Sequence, residues 1–548
     1  MTARSSESVR AVRAVVRNPD LRRLQAAWAL LWVADWAYLV ALGIFAFKAG
    51  GSFGVGLAVL IRMFPSALVA PFASMMGDRY SRQRVFLGVV VMWSLALAAS
   101  AVAFFGHGPT GLVYGLGAVT GLASTIARPT LSSLLPWLAR SSEELVAANV
   151  VSSLIESVGT LVGPLLGGVI TASAEPGAVF AASAGACLLA VIAIARMRTE
   201  GEGLRGRRRR PEGLAREAFG GFETLARHHD ARLIVMLFSL QTLVRGALNV
   251  IIVVSALTLL RMGESGVGFL TAAVGAGGLV GSVVSFRLVG RRLAAPFGIG
   301  LILWGLPIVA IAVHPRPAVA LGFLALLGAG NAVLDVAGFT LLQRSVPDQV
   351  LARVFGLFFG LVMATVGLGS IALPPLIHAI GIRWAMVLTG ALLPTVTVLL
   401  WRRILRIDAT AAAPDRELSL LRNVPMLAPL SVAAMEHLAE HLSSQAVSSG
   451  NRIIDQGDQG DRFYVVSEGQ FEVIKDGRPV ATLGQGDFFG EIALLREAPR
   501  SATVVALADS EVYTLERGEF IAAITGHSMS AEAATQIIEE RLAHTAGR

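Results

Sequence analysis

The chain has 548 residues, of which 54% are apolar and only 15% are charged, and its mean hydropathy is +0.66. This composition excludes an ordinary water-soluble enzyme of this length, in which about a quarter of the residues are charged. Cys187 is the only cysteine, which excludes an intramolecular disulfide framework and a multi-cysteine metal site.

The formal net charge of +8 is divided unevenly along the chain. Residues 1–416 hold 36 Lys and Arg against 19 Asp and Glu, whereas residues 417–548 hold 10 against 19. The arginines of the first part stand in short clusters between long apolar runs, which is typical of membrane topology rather than of nucleic-acid binding. We therefore expect a basic part in the lipid bilayer, an acidic soluble part and no nucleic-acid partner.

Residues 1–23 form a basic N-terminal arm that lacks the apolar core of a cleavable signal peptide. A transmembrane helix needs about 20 mostly apolar residues, and residues 24–403 can be divided into twelve such stretches. Six form a first bundle at 24–195 and six a second bundle at 232–403, with a basic cytoplasmic loop at 196–231 between them. The predicted spans are 24–47, 53–76, 85–106, 111–135, 145–172, 177–195, 232–259, 266–288, 295–313, 318–341, 351–378 and 383–402.

Loop charges predict the orientation of the membrane part. Segments after even-numbered spans are rich in arginine, as at Arg207–Arg210, whereas segments after odd-numbered spans are short and nearly neutral. By the positive-inside rule both termini face the cytoplasm, and we expect a multi-pass protein of the plasma (inner) membrane.

Six charged side chains lie well inside predicted spans, away from the span ends, where each costs about 2.5–3.5 kcal/mol on insertion scales. Such residues usually face a cavity or a partner, so they indicate a substrate or proton path, with structural ion pairs as the alternative. Asp35 and Asp335, one in each half, are the predicted protonation sites. The candidate transport and proton-coupling residues are Asp35, Arg62, Glu156, Arg245, Asn331 and Asp335, with Arg128 as a further charged position.

The loop after the second predicted span reads Gly-Asp-Arg-Tyr-Ser-Arg-Gln-Arg at 77–84. With twelve spans in two sixes, this loop resembles that of the major facilitator superfamily. The resemblance implies a secondary active transporter of a small-molecule substrate, with a cytoplasmic gate formed by Asp78, Arg79 and Arg82.

The fifth predicted span reads Gly-Thr-Leu-Val-Gly-Pro-Leu-Leu-Gly-Gly at 159–168. This stretch resembles the motif of the exporters and antiporters of that superfamily, which implies export. Glycines four apart also form a smooth stripe for close helix packing, which explains them without any substrate. The exporter arginine of the fourth span is missing, because Gly117 stands at that position.

Residues 404–416 form a predicted linker, and residues 417–548 are long enough for a separate soluble domain. Its first part has helical apolar spacing. From Ile453 onward, short alternating runs are separated by glycines, which is typical of a small β-barrel or jelly roll. A helical pattern returns after Ser530.

The strongest signal in the chain reads Gly-Glu-Ile-Ala-Leu-Leu-Arg-Glu-Ala-Pro-Arg-Ser-Ala-Thr at 490–503. A glycine that enters a short helical turn exposes backbone N–H groups to an anion. Arg500 can supply a planar, permanently charged group for a phosphate, and Glu491 can accept a hydrogen bond from a sugar hydroxyl. Together these residues describe a site for a ribose that carries a phosphodiester.

This stretch resembles the phosphate-binding cassette of cyclic-nucleotide-binding domains, and residues 454–473 are similar to early strands of the same fold. The resemblance implies that Glu491 binds the ribose 2′-OH, that Arg500 pairs with the cyclic phosphate and that the terminal helix, Ser530–Leu542, closes over the base. The Arg-Ser-Ala form favours cyclic AMP over cyclic GMP as the regulatory ligand. The expected site residues are Phe489, Gly490, Glu491, Ile492, Ala493, Arg500, Ser501 and Ala502.

The predicted fold is therefore an α-helical membrane protein of two six-helix bundles, followed by a C-terminal α+β jelly-roll cyclic-nucleotide-binding domain. We expect a nucleotide-regulated exporter without enzymatic activity, cofactor or metal, because the sequence has no Walker loop, His/Cys metal cluster or nucleophile elbow. One alternative is a receptor that keeps a transporter fold without moving solute. A domain that keeps its fold but has lost its ligand is another, and a nucleotide-gated channel is a third, because residues 365–369 resemble a potassium filter.

Overall fold

In the computed structural model the chain forms two compact units, Met1–Ala411 and Ala412–Arg548. The described residues form one hydrophobic core in the first unit and two in the second. The structure describes residues 18–79, 82–139, 142–197, 225, 228–285, 293–346, 348–411, 415–430, 432–496, 498–525, 530 and 533–539.

Long apolar helices make up the first unit. Among the described residues, nine helices have the length and hydropathy needed to cross a membrane. They are α1 Pro19–Arg79, α2 Arg82–Phe105, α3 Thr110–Leu138, α4 Ser142–Ala195, α5 His229–Val254, α6 Gly263–Ser285, α7 Ala294–Val313, α8 Pro317–Arg344 and α9 Asp348–Ala411. A π-helical turn, Ser255–Leu259, extends α5.

Three of these helices are interrupted by a short non-helical break. Non-helical residues interrupt α1 at Gly50 and Gly51, α4 at Ala174 and Glu175, and α9 at Gly381. Each break includes a positive φ, which ends a regular helix because it places the residue outside the right-handed region. Each break also lies in a segment predicted to connect two spans. The helices therefore follow the order of the twelve predicted spans, whose number stays a prediction.

Two boundaries differ from those expected. α1 begins at Pro19, inside the predicted N-terminal arm, and α9 continues to Ala411, inside the predicted linker. Ile404 and Ile407 are fully buried in the core of the first unit. Burial of this apolar face favours continued helix beyond the last predicted span.

Some predicted features lie outside the described residues. These are the N-terminal arm up to residue 17, most of the basic loop at 196–231 with its four arginines, and the chain after residue 539. The side chains of Asp78 and Arg79 also lie outside the described part of the structure.

The glycine motif of the fifth predicted span lies on α4 and packs on two different helices. A Cβ at Gly159 would lie 2.5 Å from the Trp32 side chain of α1. A Cβ at Gly168 would lie 2.8 Å from the Cα of Gly268 on α6, in the other half of the unit. Because real Cβ atoms do not approach so closely, the glycines allow α4 to contact both helices. The motif therefore has a clear packing role.

The second unit combines short helices with two β-sheets. Its strands are β1 Ser443–Val447, β2 Arg452–Ile454, β3 Arg462–Glu468, β4 Phe471–Lys475, β5 Arg478–Leu483, β6 Phe488–Phe489, β7 Thr503–Ala506 and β8 Ser510–Glu516. Its helices are α10 Asp415–Arg422, α11 Val432–Glu440, α12 Glu491–Leu495 and α13 Arg517–Thr525. The antiparallel sheets have strand orders β1-β8-β3-β6 and β2-β7-β4-β5. This is the predicted jelly-roll class of fold.

Strand β3 separates the two cores of this unit. Successive side chains of a strand point to opposite faces: Phe463 and Val465 pack with α10, α11 and α13, whereas Tyr464 and Val466 face the space between the sheets. Tyr464 also pairs with Phe489 of β6. This pairing brings the turn that follows β6 next to β3.

Candidate functional site

The predicted nucleotide residues come together at the turn after β6. Gly490 has a φ of +91° and directly precedes α12. A Cβ at this position would lie 2.6 Å from Nη1 of Arg500 and 3.0 Å from the carbonyl oxygen of Arg462. Both the left-handed backbone and the close approach of the arginine therefore require glycine here.

Arg500 lies against this turn, and its side chain is only 4% exposed. Nη1 donates to the carbonyl oxygen of Gly490 at 3.0 Å, and Nη2 donates to that of Arg462 at 2.8 Å. A carboxylate oxygen of Asp461 lies 3.5 Å from Nη2, but the Asp461 side chain is 73% exposed and so gives weak compensation. Burial lowers the pKa of the Arg500 guanidinium, while neighbouring Tyr464 and nearby carboxylates oppose this shift. The site thus holds a desolvated cation.

An aromatic stack fixes the position of this cation. The rings of Tyr464 and Phe489 are nearly parallel, with their centres 4.9 Å apart. The guanidinium carbon of Arg500 lies 5.7 Å from the centre of the Tyr464 ring, within the range of a cation–π contact. Burial raises the pKa of Tyr464, which keeps its hydroxyl neutral next to the arginine.

Glu491 is the first residue of α12 and is 1% exposed. A carboxylate is stabilised in the first turn of a helix by the unpaired backbone N–H groups. Its charge acts on Arg500 and helps to keep the guanidinium protonated. The two charged residues of the predicted cassette are therefore within electrostatic range of each other.

The remaining cassette residues differ in their exposure. Ala493 is buried, Ile492 and Ala502 are partly buried, and Ser501 is exposed. Asp461 and Tyr464 were not among the predicted site residues. Their contact with Arg500 depends on the pairing of β3 with β6, which no local motif reports.

The terminal helix predicted to close over the base is described only at residues 530 and 533–539. Within that part, Ser530 is fully buried and Ala534 packs in the core formed by α10, α11 and α13. A role over a bound base stays a prediction.

In the membrane unit, Asp35 and Arg62 form a buried ion pair. Nη2 of Arg62 donates to the two carboxylate oxygens of Asp35 at 2.7 and 2.9 Å, and Nη1 donates to Oγ1 of Thr120 at 2.8 Å. Arg62 is 2% exposed and Asp35 is 8% exposed. The pair joins the two parts of α1 to each other, and Thr120 adds α3. This geometry favours the structural interpretation of both residues, because each charge is already compensated.

Asp335 belongs to a different polar group, on α8. Nδ2 of Asn331 donates to Oδ2 of Asp335 at 2.9 Å, and Nε1 of Trp304 donates to Oδ1 of Asn331 at 3.0 Å. The two residues of α8 thus share one helix face, as their spacing of four predicts. Trp304, on α7, was not among the predicted residues.

Charged residues of the two halves approach each other around Asp335. Arg245, in the same half, and Arg128, in the first half, both interact electrostatically with Asp335. Nη2 of Arg128 also donates to Oε2 of Glu156 at 2.8 Å. The side chain of Arg128 is 62% exposed, so this pair is accessible, unlike that of Asp35. Most of the predicted transport residues therefore form one group, and Asp35 with Arg62 forms another.

Arg82 is the predicted gate residue whose side chain the structure describes. Its Nη1 donates to the carbonyl oxygen of Ser133 at 3.4 Å, and its guanidinium lies 5.0 Å from the centre of the Trp137 ring. Both partners are on α3, so Arg82 ties the start of α2 to the end of α3.

The stretch that resembles a potassium filter lies inside α9. Thr365 bonds to Thr242 of α5 through their hydroxyl oxygens, 2.6 Å apart. A filter needs backbone carbonyl oxygens that point into a pore, whereas helical carbonyls are bonded along the helix. The helical geometry therefore does not favour the alternative of a nucleotide-gated channel.

Comparisons with known proteins were made for the whole chain. The family model described as Major Facilitator Superfamily matches residues 27–358 and 234–444, and the model described as Cyclic nucleotide-binding domain matches residues 444–527. The C-terminal part is similar to the cAMP-dependent protein kinase regulatory subunits of Yarrowia lipolytica, at 43% identity over 122 residues, and Debaryomyces hansenii, at 43% over 101 residues. These alignments cover 22% and 18% of this chain and 32% and 22% of the relatives, so the chain spans about a third or less of their length.

Among solved structures, the catabolite activator protein of Thermus thermophilus is similar at 29% identity over 22% of this chain and 59% of that chain, with a TM-score of 0.21. The superfamily match covers most of the chain, and the nucleotide-binding match falls on the unit that holds Gly490, Glu491 and Arg500. The chain therefore belongs to the major facilitator superfamily and carries a C-terminal cyclic-nucleotide-binding domain.

Proposed function

We propose that this protein is a secondary active transporter that exports a small molecule and is regulated by cyclic AMP bound to its C-terminal domain. The observation that carries the regulatory part is the buried guanidinium of Arg500, held beside the left-handed turn at Gly490. Neither a transporter of this family nor a nucleotide-binding domain is typically catalytic, so we propose no enzymatic activity.

A cyclic phosphate suits this environment because it would place a negative charge in direct contact with the buried guanidinium. Arg500 bonds to two neutral carbonyl oxygens and lies 3.5 Å from an exposed carboxylate. A phosphate oxygen would form a charge-assisted hydrogen bond with the guanidinium, which is stronger than a bond to a neutral acceptor. It would also offset the desolvation cost that lowers the pKa of Arg500.

Two observations favour cyclic AMP as the nucleotide. Residues 500–502 read Arg-Ser-Ala, the form that the resemblance associates with cyclic AMP. The similar proteins of both yeasts are named as cAMP-dependent regulatory subunits. We assign the ribose 2′-OH to the buried carboxylate of Glu491, which is the other charged residue of the cassette.

The transport path is assigned to the charged group around Asp335. Arg128 and Glu156 come from the first half, and Arg245, Asn331 and Asp335 come from the second. Alternating access requires the two halves to move relative to each other. A cluster that contains residues of both halves can change its ion pairs during this movement. The direction of transport, export, rests on the glycine motif of α4. We place both termini in the cytoplasm of the plasma (inner) membrane on the basis of the arginine-rich loops.

The experiment is a flux assay on the full-length protein in proteoliposomes that contain the pH-sensitive dye pyranine. A panel of candidate solutes is added under an imposed pH gradient, with and without cyclic AMP, and Arg500→Ala serves as the nucleotide-blind control. We expect solute-dependent proton movement that cyclic AMP changes by about 5–150-fold, equivalent to a coupling of about 1–3 kcal/mol. The Arg500→Ala variant should keep flux without the response.

Different outcomes separate the alternatives. Calorimetry on the same preparation measures binding of cyclic AMP and cyclic GMP. Nucleotide binding with equal flux in its presence and absence would contradict regulation. Nucleotide binding without flux of any solute would favour the receptor, and binding of neither nucleotide would favour a domain that has lost its ligand.

A further inference from the structure

We propose that the C-terminal unit binds a divalent transition-metal ion of the Zn²⁺ class through His437, His441 and Glu519. His437 lies in the last turn of α11, His441 follows directly after that helix, and Glu519 lies in the first turn of α13. One possible ligand atom from each residue lies within 4.8 Å of the other two. Imidazole and carboxylate groups are ligands that Zn²⁺ and related ions accept together.

The two histidines are arranged as a pair of ligands. They are four residues apart, which places them on one face of a helical turn, and their ring centres are 4.4 Å apart. A His pair with this spacing is a known zinc-binding arrangement on helices.

The protonation of His441 is set by its backbone neighbour. Nδ1 of His441 lies 2.8 Å from the carbonyl oxygen of His437. A carbonyl can only accept a hydrogen bond, so Nδ1 is the donor, and in the neutral imidazole Nε2 then presents its lone pair. Metal-binding histidines are usually oriented in this way, with the second ring nitrogen bonded to a carbonyl or carboxylate.

The third ligand is already close to the first. Nε2 of His437 and Oε2 of Glu519 are 3.2 Å apart. Two ligands at the usual Zn–N and Zn–O distances in a tetrahedral site are separated by about 3.3 Å. A bound ion would take the place of the proton between these two atoms: a neutral His437 would carry that proton on Nδ1 instead, and a doubly protonated His437 would release one proton to solvent. A water molecule would complete the coordination.

The core of the unit holds the two elements in place while the ligands remain accessible. Leu438 of α11 and Phe520 of α13, each next to a ligand, are at most 1% exposed and belong to the same core. The side chains of His437 and Glu519 are 57% and 38% exposed. The ligands are therefore positioned by buried neighbours but can be reached by an ion from solvent.

Cobalt titration of the full-length protein tests the proposal. The protein is purified in detergent without a polyhistidine tag, stripped with a chelator and titrated with Co²⁺, whose visible absorption reports nitrogen and oxygen ligands. We expect one ion per chain, displaced by Zn²⁺. His441→Ala and Glu519→Gln should each weaken binding by about tenfold or more, since removal of supporting partners alone costs a metal site 10–100-fold.

His314→Ala is the matched control, because His314 is an exposed histidine at the end of α7 in the membrane unit. It should bind Co²⁺ like the unaltered protein. Circular dichroism and the unfolding temperature without metal show that the variants are folded, since none removes a buried side chain. Co²⁺ should raise the unfolding temperature of the unaltered protein and of His314→Ala only. Equal Co²⁺ affinity in all four proteins, or no stoichiometric binding, would overturn the proposal.

Discussion

Two buried arginines, one in each unit, have opposite electrostatic environments. Arg62 in the membrane unit is 2% exposed and bonds to both carboxylate oxygens of Asp35 and to Thr120. Arg500 in the C-terminal unit has a side chain that is 4% exposed, and its two hydrogen bonds go to backbone carbonyl oxygens. Both arginines are almost completely buried. The charge of Arg62 is neutralised by Asp35, whereas the charge of Arg500 is only partly compensated by its neighbours.

This difference indicates what each arginine does. A buried charge that is compensated by a bidentate partner stabilises a packing arrangement, and removal of one partner leaves the other charge unpaired. A buried charge that faces neutral carbonyl oxygens gains most from an incoming anion. We therefore interpret Arg62 as structural and Arg500 as a ligand-binding residue.

The largest effect is expected at the buried pair of the membrane unit. Arg62→Ala should lower the free energy of unfolding by about 3–5 kcal/mol, because it leaves Asp35 buried and unpaired. The measurement is the unfolding temperature in detergent. The double replacement Asp35→Leu/Arg62→Met is the control and should recover most of the stability. A single variant as stable as the original protein would contradict the structural role.

Arg500→Ala should have its main effect on binding rather than on folding. Loss of the guanidinium should weaken cyclic AMP binding by about 2–5 kcal/mol, because the buried phosphate would lose its partner. Calorimetry on the full-length protein measures this change. Arg452→Ala is the matched control, since Arg452 lies in the same unit with a side chain that is 67% exposed. An unchanged dissociation constant for Arg500→Ala would refute the assignment of the phosphate.

Glu491 is tested by a change in the protein and a matching change in the ligand. Glu491→Gln should weaken cyclic AMP binding by about 1.5–3 kcal/mol, which is the range for a hydrogen bond to a charged group. The 2′-deoxy nucleotide should bind more weakly to the original protein but with no further loss to Glu491→Gln. Independent, additive losses would show that the carboxylate acts elsewhere.

Alanine variants of two glycines distinguish the effect of backbone strain from the effect of a contact with Arg500. Gly490 and Gly477 both have positive φ values, +91° and +77°, but a Cβ at Gly477 would meet no atom within 4 Å. Each change to alanine should cost about 1–2 kcal/mol of stability through the left-handed backbone. Gly490→Ala should in addition displace Arg500 and weaken cyclic AMP binding, whereas Gly477→Ala should not. Equal nucleotide affinities in the two variants would contradict the contact.

Features that depend on local pattern were predicted well. The apolar runs, the β-sheets of the C-terminal unit and the short helical turn after Gly490 all appear as expected, because span length, strand alternation and a turn that begins at glycine involve neighbouring residues. The predicted linker at 404–416 contains the boundary between the two units, although α9 continues through its first part to Ala411. Its last turns are held in the core by Ile404 and Ile407, a long-range effect.

The sequence by itself thus determined the class of each unit and indicated candidate charged residues in the spans and in the cassette, because hydropathy and local motifs depend on consecutive positions. Only the tertiary structure decided which charge meets which partner. It paired Asp35 with Arg62, grouped Arg128 with Asp335 across the two halves, and brought Glu519 to His437, which is 82 positions away. Partners of this kind are set by how the helices pack, and a change in that packing would change which charges meet.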